Sequence, residues 1–301
     1  MLFECVPNVS EGRDDATLEA CARAIADAGA TLAHRTSDSI HHRSVFTFFG
    51  ERSQVLAAAV ALAEVTAQRI DLRTHRGAHP RIGALDVLPF VPLAGATMDD
   101  AVALAREAAA RIWQRTGVPC FLYGAAATSE RRRLLADVRA GEFEGLVERA
   151  HRTGRPDVGD VFTHPSAGAT AVGARNVLVA YNVVLGTGDV RLARTIARNL
   201  RERDGGLRTL RVLGVALDMG RVQISCNLTD VAGTPLYRVF ELVRRSAARY
   251  GVNTLSSELI GLVPRSALSA VAAHALGVAS EGLAAADFVA DSAPKERALV
   301  E

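Results

Sequence analysis

The densest set of potentially reactive side chains lies in one short segment, residues 71–83. Five of its thirteen residues, three arginines and two histidines, can be cationic. Gly77 and Pro80 oppose a regular helix, so we expect an irregular loop. Arginine offers a planar fork to carboxylates, and histidine titrates near neutral pH. The segment therefore favours anion recognition combined with proton transfer. The alternative is a solvated basic loop whose arginines pair with surface carboxylates.

A metal site is the other chemistry that this segment could suggest. His75 and His79 stand four residues apart, the spacing of a helical metal-binding pair, but the segment offers neither a helix nor a flanking glutamate. The cysteines show no CxxC pair and no zinc-type spacing; they are Cys5, Cys21, Cys120 and Cys226. We therefore expect no bound metal, and free thiols in a reducing compartment.

Three other polar segments could line a binding site. Residues 41–43, His-His-Arg, lead into a predicted strand; surface histidines are the alternative. Residues 159–173 are rich in small residues, which would let a planar ligand approach backbone amides; an interdomain linker is the alternative. In residues 8–11, Ser10 fits a helix N-cap, whereas Asn8 has no such explanation.

Composition and charge limit the classes of function. The chain has 301 residues, of which 49% are hydrophobic and 23% charged, as in ordinary folded proteins. Its net charge of +2 gives no overall attraction to nucleic acid or to a membrane surface. The longest apolar run, residues 55–63, is roughly half of a membrane-spanning helix, and the acidic N-terminal segment is unlike a signal peptide. We expect a soluble, cytoplasmic protein.

Hydrophobic periodicity predicts the same order of elements in both halves of the chain, strand–helix–strand–strand–helix–strand. This is the order of the ferredoxin-like unit. The sequence therefore predicts the α+β class, with two ferredoxin-like (βαββαβ) subdomains that contain mixed sheets, at residues 1–175 and 176–301. Because domain interfaces favour ligand pockets, we expect a ligand crevice between the subdomains.

Several segments, in order along residues 2–276, resemble the glutamate formiminotransferase family. They include ECVPNVSEGR (4–13), THRGAHPRIGALDVLPFVPL (74–93), RAGEFEGL (139–146), GATAVGARNVLVAYNVVL (168–185) and ELIGLVPRSAL (258–268). The resemblance implies two α/β subdomains with a folate tunnel between them, and a homodimer. It implies the transferase domain alone, because larger members of the family add a cyclodeaminase domain for which this chain is too short.

The resemblance also implies the reaction. A formimino group passes from N-formimino-L-glutamate to tetrahydrofolate, a co-substrate, and yields 5-formiminotetrahydrofolate and glutamate. This step belongs to histidine degradation and one-carbon metabolism. The family's catalytic histidine falls on His79, which would carry a proton from N5 of the folate to the leaving amine. The folate-contacting stretch falls on Gly159, Asp160, Val161, Phe162, Thr163, His164, Pro165, Ser166, Ala167 and Gly168.

Further side chains are candidates for binding the formimino donor. Arg76 and Arg81 could hold its carboxylates, and Asp38 or Glu11 could offset its amidinium charge. The remaining candidates are Asn8, His42 and Arg43.

This chain departs from the family pattern at three positions, Ala78, Ala167 and His42. The departures at Ala78 and Ala167 motivate an alternative, a folate-binding protein that holds 5-formyl folate and has lost or altered transfer. A ferredoxin-like regulatory module is a third hypothesis.

Overall fold

The computed structural model describes residues 1–77, 79–148, 154–217 and 220–277. The chain divides into two compact units, Met1–Arg175 and Asn176–Glu301. The first unit contains a seven-stranded mixed sheet and the second a four-stranded antiparallel sheet. Both sheets carry helices, so the predicted α+β class is confirmed. The prediction of a mixed sheet is wrong for the second unit, because all of its strand pairs are antiparallel.

The sheet of the first unit is built around its first two strands. β1 and β2 both lie between β4 and β5, and β3 extends the sheet beyond β4. On the other side β5, β7 and β6 run parallel. The strands are β1 (Leu2–Cys5), β2 (Asn8–Val9), β3 (Thr31–Asp38), β4 (Arg43–Glu51), β5 (Leu85–Pro92), β6 (Cys120–Gly124) and β7 (Thr170–Ala174).

Proline explains why residues 2–9 form two strands. Pro7 lacks a backbone N–H and cannot donate to the ladder, but its carbonyl still accepts a 3.1 Å hydrogen bond from the Phe46 amide. The chain therefore stays in the sheet while its ladder is interrupted, and β2 directs residues 8–11 toward the start of β4.

The helices of the first unit pack on the sheet through alanine- and leucine-rich faces. They are α1 (Asp15–Asp27), α2 (Arg52–Arg69), α3 (Met98–Thr116) and α4 (Leu135–Arg139). Thr97 and Asp100 form a capping box at the start of α3. The core between α1–α3 and the sheet includes the fully buried Phe3, Phe46, Phe48 and Phe90.

The first helix begins later than the sequence suggested. Asp14 is its N-cap and accepts from the Ala16 amide, so the prediction that Ser10 caps the helix is wrong. Ser10 is buried, and its hydroxyl donates a 2.7 Å hydrogen bond to the Gly83 carbonyl. Ser10 thus connects the end of the first strand pair to the end of the Arg/His loop.

The second unit has the predicted order of elements. Its strands are β8 (Val179–Leu185), β9 (Leu210–Ala216), β10 (Val222–Leu228) and β11 (Thr254–Ile260), in the spatial order β11–β8–β10–β9. Its helices are α5 (Val190–Leu200), α6 (Leu236–Ala248) and α7 (Arg265–Leu276). β9 and β11 are therefore the edge strands of this sheet, and the apolar β8 lies inside it.

No helix among the described residues is long and apolar enough to cross a membrane. Within the same ranges, no group of three or more His, Cys, Asp or Glu side chains is arranged to hold a metal ion.

Candidate active site

The Arg/His loop is anchored at both ends to the small-residue segment. The Leu72 amide donates to the Ser166 carbonyl over 2.8 Å, and the Ala84 amide donates to the Ala167 carbonyl over 2.9 Å. Gly83 and Gly168 form a β-bridge. The structure thus brings two of the sequence-predicted segments, residues 71–83 and 159–173, into direct backbone contact.

Glycine is required at this bridge by packing. A Cβ on Gly83 would lie 2.1 Å from the Ala169 carbonyl oxygen, and one on Gly168 would lie 2.1 Å from that of Ile82. Gly168 also has a φ of +73°, which favours glycine. The sequence suggested that this glycine lets a ligand approach the backbone. In the structure the neighbour that approaches is the chain itself.

His42 connects three parts of the site. Its Nε2 lies 2.9 Å from Glu11 Oε1, and its Nδ1 lies 3.1 Å from the Arg76 carbonyl oxygen. Both ring nitrogens of His42 thus face an oxygen atom of another segment. His42 has a φ of +52°, a left-handed conformation in which histidine and asparagine are enriched. This backbone turns the ring toward the Arg/His loop.

Glu11 is committed to holding this corner of the chain. Its Oε1 accepts the backbone amides of Gly12, Arg13 and Asp14 at 2.8, 2.8 and 3.0 Å, in addition to His42. Burial raises the pKa of the Glu11 carboxyl, but the backbone hydrogen bonds from Asp14 and Arg13, together with His42, outweigh it and leave the pKa below its usual value. Glu11 is therefore ionised, and its Oε1 is held by groups of the chain itself.

His75 is a buried neutral histidine. Its Nε2 donates to the His42 carbonyl over 3.0 Å, and its Nδ1 accepts from Arg81 Nε over 3.3 Å. Burial, chiefly, lowers the pKa of His75. The ring positions the loop and keeps no free nitrogen for proton transfer.

Arg81 is paired within the protein. Its guanidinium donates to both oxygens of Glu144, at 2.9 and 2.7 Å, and to Glu142 at 3.0 Å. These groups border a cavity of about 400 Å³ between residues 75–77 and 141–144. Arg76 donates to the carbonyls of Arg73 and His75. The two arginines that the sequence suggested for substrate carboxylates are thus engaged with the chain in this structure.

His79 is the histidine of the loop that can accept a proton. It is half-buried, and its Nε2 accepts a 2.5 Å hydrogen bond from Arg43 Nη1. Burial, together with the positive charges of Arg43 and Arg139, lowers the pKa of His79 to about 3. The imidazole is therefore neutral at physiological pH, and its lone pair points at a cation.

Asp86 and Arg139 complete the surroundings of His79, and sequence reasoning missed both. Asp86 is 1% exposed; it accepts from the Ile82 amide over 2.8 Å and forms an ion pair with Arg139. Two signals could have found them. Asp86 interrupts the apolar strand ALDVLPFVPL, and Arg139 opens the motif RAGEFEGL.

Asp38 and Asn8 are the remaining candidate binding residues. The Asp38 carboxylate accepts from the amides of Ile40 and His41 and from the His41 ring, all within 2.8 Å. The Asn8 side chain donates only to the Val6 carbonyl among the described residues, at 3.4 Å. The structure brings Asp38 beside Arg43, its partner in the β3–β4 ladder, but it gives Asn8 no contact with the histidines.

The small-residue segment contains a compact turn, residues 164–168, and an exposed residue, Val161, before it. His164 and Gly168 exchange backbone hydrogen bonds, and His164 Nδ1 accepts from the amides of Ser166 and Ala167. Ala167 is buried, whereas Val161 is 43% exposed. The departure at Ala167 thus lies in the protein interior. The departure at Ala78 lies outside the described residues.

Comparison with known proteins adds the family. Residues 2–175 match the N-terminal subdomain of the formiminotransferase domain, and residues 180–282 match the formiminotransferase domain. The chain is 42% identical over 280 residues to the glutamate formimidoyltransferase of Streptococcus pyogenes serotype M1, covering 92% of this chain and 94% of the relative. For the enzyme of the same name from Thermoplasma acidophilum the identity is 43%, covering 91% and 92%.

Longer relatives match over part of their length. The formimidoyltransferase-cyclodeaminase of Sus scrofa is 40% identical over 282 residues, which covers 90% of this chain and 52% of the relative.

Proposed function

The chain belongs to the formiminotransferase family, and from this membership we propose that it is a glutamate formimidoyltransferase. It transfers the formimino group of N-formimino-L-glutamate to tetrahydrofolate and releases glutamate. The observation that carries the proposal is the identity of 42% with an enzyme of this name along nearly the whole of both chains. Tetrahydrofolate acts as a co-substrate, within one-carbon metabolism and histidine degradation.

His79 supports this reaction as the group that moves the proton. N5 of tetrahydrofolate attacks the amidine carbon and loses a proton to Nε2 of His79. The tetrahedral intermediate then expels the α-amine of glutamate, and His79 transfers the proton it took from N5 to that leaving amine. A histidine that is neutral before the reaction is in the correct state for the first step, and such transfers contribute about 10²–10⁴-fold in rate.

The remaining site residues have supporting roles in the proposal. Residues 159–168 contact the folate, and Asp38 offsets the charge of the donor amidinium. Glu11, His42 and Arg81 hold the Arg/His loop, since their hydrogen bonds are made within the protein. Asn8 and Arg76 remain predictions as substrate contacts.

The finer features of the fold belong to the same proposal. Each unit has the βαββαβ order, and the strand order β11–β8–β10–β9 supports a ferredoxin-like second unit. A ligand crevice between the units, a cytoplasmic location and a homodimer remain predictions.

The test uses the purified chain with tetrahydrofolate and formiminoglutamate. Formation of 5-formiminotetrahydrofolate, dependent on both substrates, would support the transferase. Tight binding of 5-formyltetrahydrofolate without turnover would instead support the alternative, a folate-binding protein. If neither binding nor turnover is found, both hypotheses are wrong.

A further inference from the structure

Two guanidinium groups act on the His79 imidazole. Arg43 Nη1 donates to His79 Nε2 over 2.5 Å. Arg139 forms an ion pair with Asp86, and its positive charge lowers the pKa of both His79 and Arg43. The neutral ring of His79 therefore lies in a cluster that contains two permanent cations.

The two carboxylates near this cluster, Asp86 and Asp38, already accept hydrogen bonds from other groups of the protein. Asp86 is buried and accepts from Arg139 and from a backbone amide. Asp38, the other carboxylate that acts on Arg43, is held by the His41 ring and by two backbone amides. Burial is the largest influence on Arg43 and lowers its pKa. A partly buried cation without its own carboxylate is costly, and an anion at this position would remove that cost.

Both arginines also have N–H groups that make no hydrogen bond within the described residues. Arg139 Nε is buried without a hydrogen-bond partner among the described residues. Within the same part of the chain, the bond to His79 is the only one that Arg43 makes with its five N–H groups. Unused guanidinium donors in a half-buried place match the acceptor geometry of a carboxylate.

We propose that Arg43 and Arg139 form the subsite for a carboxylate of the formimino donor, and that the arriving carboxylate draws Arg43 away from His79. The inference rests on the proposed formimino transfer. No covalent bond changes in this step. The N–H of Arg43 exchanges its acceptor from His79 Nε2 to the carboxylate, and the lone pair of Nε2 becomes available for the proton of N5.

The binding step also changes the basicity of His79. The charged groups that act on the ring are Arg43, Arg139 and His41, and the Asp86 carboxylate neutralises Arg139 only in part. A carboxylate between the two arginines offsets their charge and raises the affinity of His79 for a proton. His79 is therefore a weak base in the unliganded protein, and binding of the donor carboxylate makes it a stronger one.

The first test measures binding of L-glutamate, the carboxylate-bearing product, to the full chain by calorimetry. Arg43→Gln and Arg139→Gln should each raise the dissociation constant at least about ten-fold, the change that follows from losing one charge-assisted contact. Arg133→Gln is the matched control, because Arg133 lies in the same segment with a side chain 65% exposed. It should bind like the wild type.

Arg139→Gln leaves the buried Asp86 without its partner and can fail to fold. The double variant Asp86→Asn/Arg139→Gln removes both charges and should show the same weakened binding. Unchanged affinity in Arg43→Gln and in a folded variant lacking Arg139 would overturn the subsite, as would a wild type that does not bind glutamate.

The second test follows the His79 ring by NMR in protein labelled at histidine, with His79→Gln to assign the signal. Saturating glutamate should move the midpoint of His79 titration upward in the wild type, and by less in Arg43→Gln. An unmoved midpoint would overturn the activation step.

Turnover of formiminoglutamate by the wild type is measured alongside. If the wild type turns over formiminoglutamate but neither arginine variant changes the affinity for glutamate, the subsite is refuted and the proposed function stands. Arginine-dependent glutamate binding without turnover would refute the function and support the subsite.

Discussion

The imidazole rings of His42 and His75 stack with their centroids 4.1 Å apart and their planes inclined by 10°. The same two residues share a hydrogen bond, from His75 Nε2 to the His42 carbonyl. The stack and the hydrogen bond together hold the two residues against each other. The start of β4, which carries Arg43, is thereby fixed to the loop that carries His79.

Replacing His42 should weaken the fold at this junction. We expect His42→Ala to lower the free energy of unfolding by about 1.5–3 kcal/mol, because it removes hydrogen bonds that include one to a carboxylate. His42→Asn should lose less, because asparagine tolerates the left-handed backbone. Urea unfolding measures both. Equal losses would show that the backbone conformation contributes nothing to the difference.

Replacing His79 should separate catalysis from folding. His79→Asn should reduce kcat by about 10²–10⁴-fold, the usual contribution of general acid–base catalysis. Its unfolding midpoint should stay close to that of the wild type at neutral pH, because the ring is only half-buried. A steady-state assay beside thermal unfolding makes the comparison. Full turnover in this variant would remove His79 from the mechanism.

The lowered pKa of His79 predicts a change in stability with pH. The unfolded chain takes up a proton on this residue near pH 6.5, whereas the folded chain takes it up only at about pH 3. The stability associated with the neutral ring is therefore complete above about pH 6.5 and is lost as the pH falls through that window. His79→Gln should lose less stability than the wild type between about pH 8 and pH 5.

Urea midpoints at the two pH values test this prediction. The measurement near pH 8 is the internal reference, because the linked proton is absent from both states there. The same loss in both proteins would contradict a neutral His79 in the folded chain.

The exposed Val161 in the small-residue segment offers a test of folate contact. Val161→Asp should raise the dissociation constant of 5-formyltetrahydrofolate about ten-fold, since it places a charge where the folate is proposed to lie. Leu255→Asp, at an exposed leucine of β11, is the control. Fluorescence titration with 5-formyltetrahydrofolate measures the dissociation constant of both variants. Equal dissociation constants would contradict folate contact at Val161. Gly168→Val does not serve here, because its side chain would collide with the Ile82 carbonyl.

A two-fold homodimer is the expected assembly, with a buried area of at least about 1,200 Å². Leu213 is 62% exposed on β9, an edge strand of the second sheet. We expect light scattering at micromolar concentration to give twice the chain mass, and Leu213→Asp to reduce that mass if β9 forms the interface. A monomeric wild type would contradict the assembly itself.

The sequence predicted the elements more fully than their ends. Periodicity and turn residues were sufficient for the order of strands and helices. The cap of α1 was misplaced because Ser10 and Asp14 are both good N-caps, and the difference between them is a tertiary contact, the hydrogen bond from Ser10 to Gly83. Likewise, an apolar strand such as β8 does not reveal whether it lies inside or at the edge of its sheet.

The sequence predicted which segments form the candidate site, but it predicted only some of the contacts between their side chains. A count of cationic side chains found the Arg/His loop, yet it could not tell that Arg81 has Glu144 as its partner while Arg43 has a histidine. Such partners come from distant parts of the chain. The role of Arg139 depends on Asp86, which lies 53 residues before it.

The contact between Gly83 and Gly168 has a consequence for how this site could be changed by selection or design. The nearest neighbour of each glycine is a backbone carbonyl of the other segment, so main-chain atoms set the closest approach of the two segments. Side chains on either segment can therefore be exchanged, to accept another donor for example, without altering the frame that holds them. A randomised library should return glycine at both positions and diversity around them.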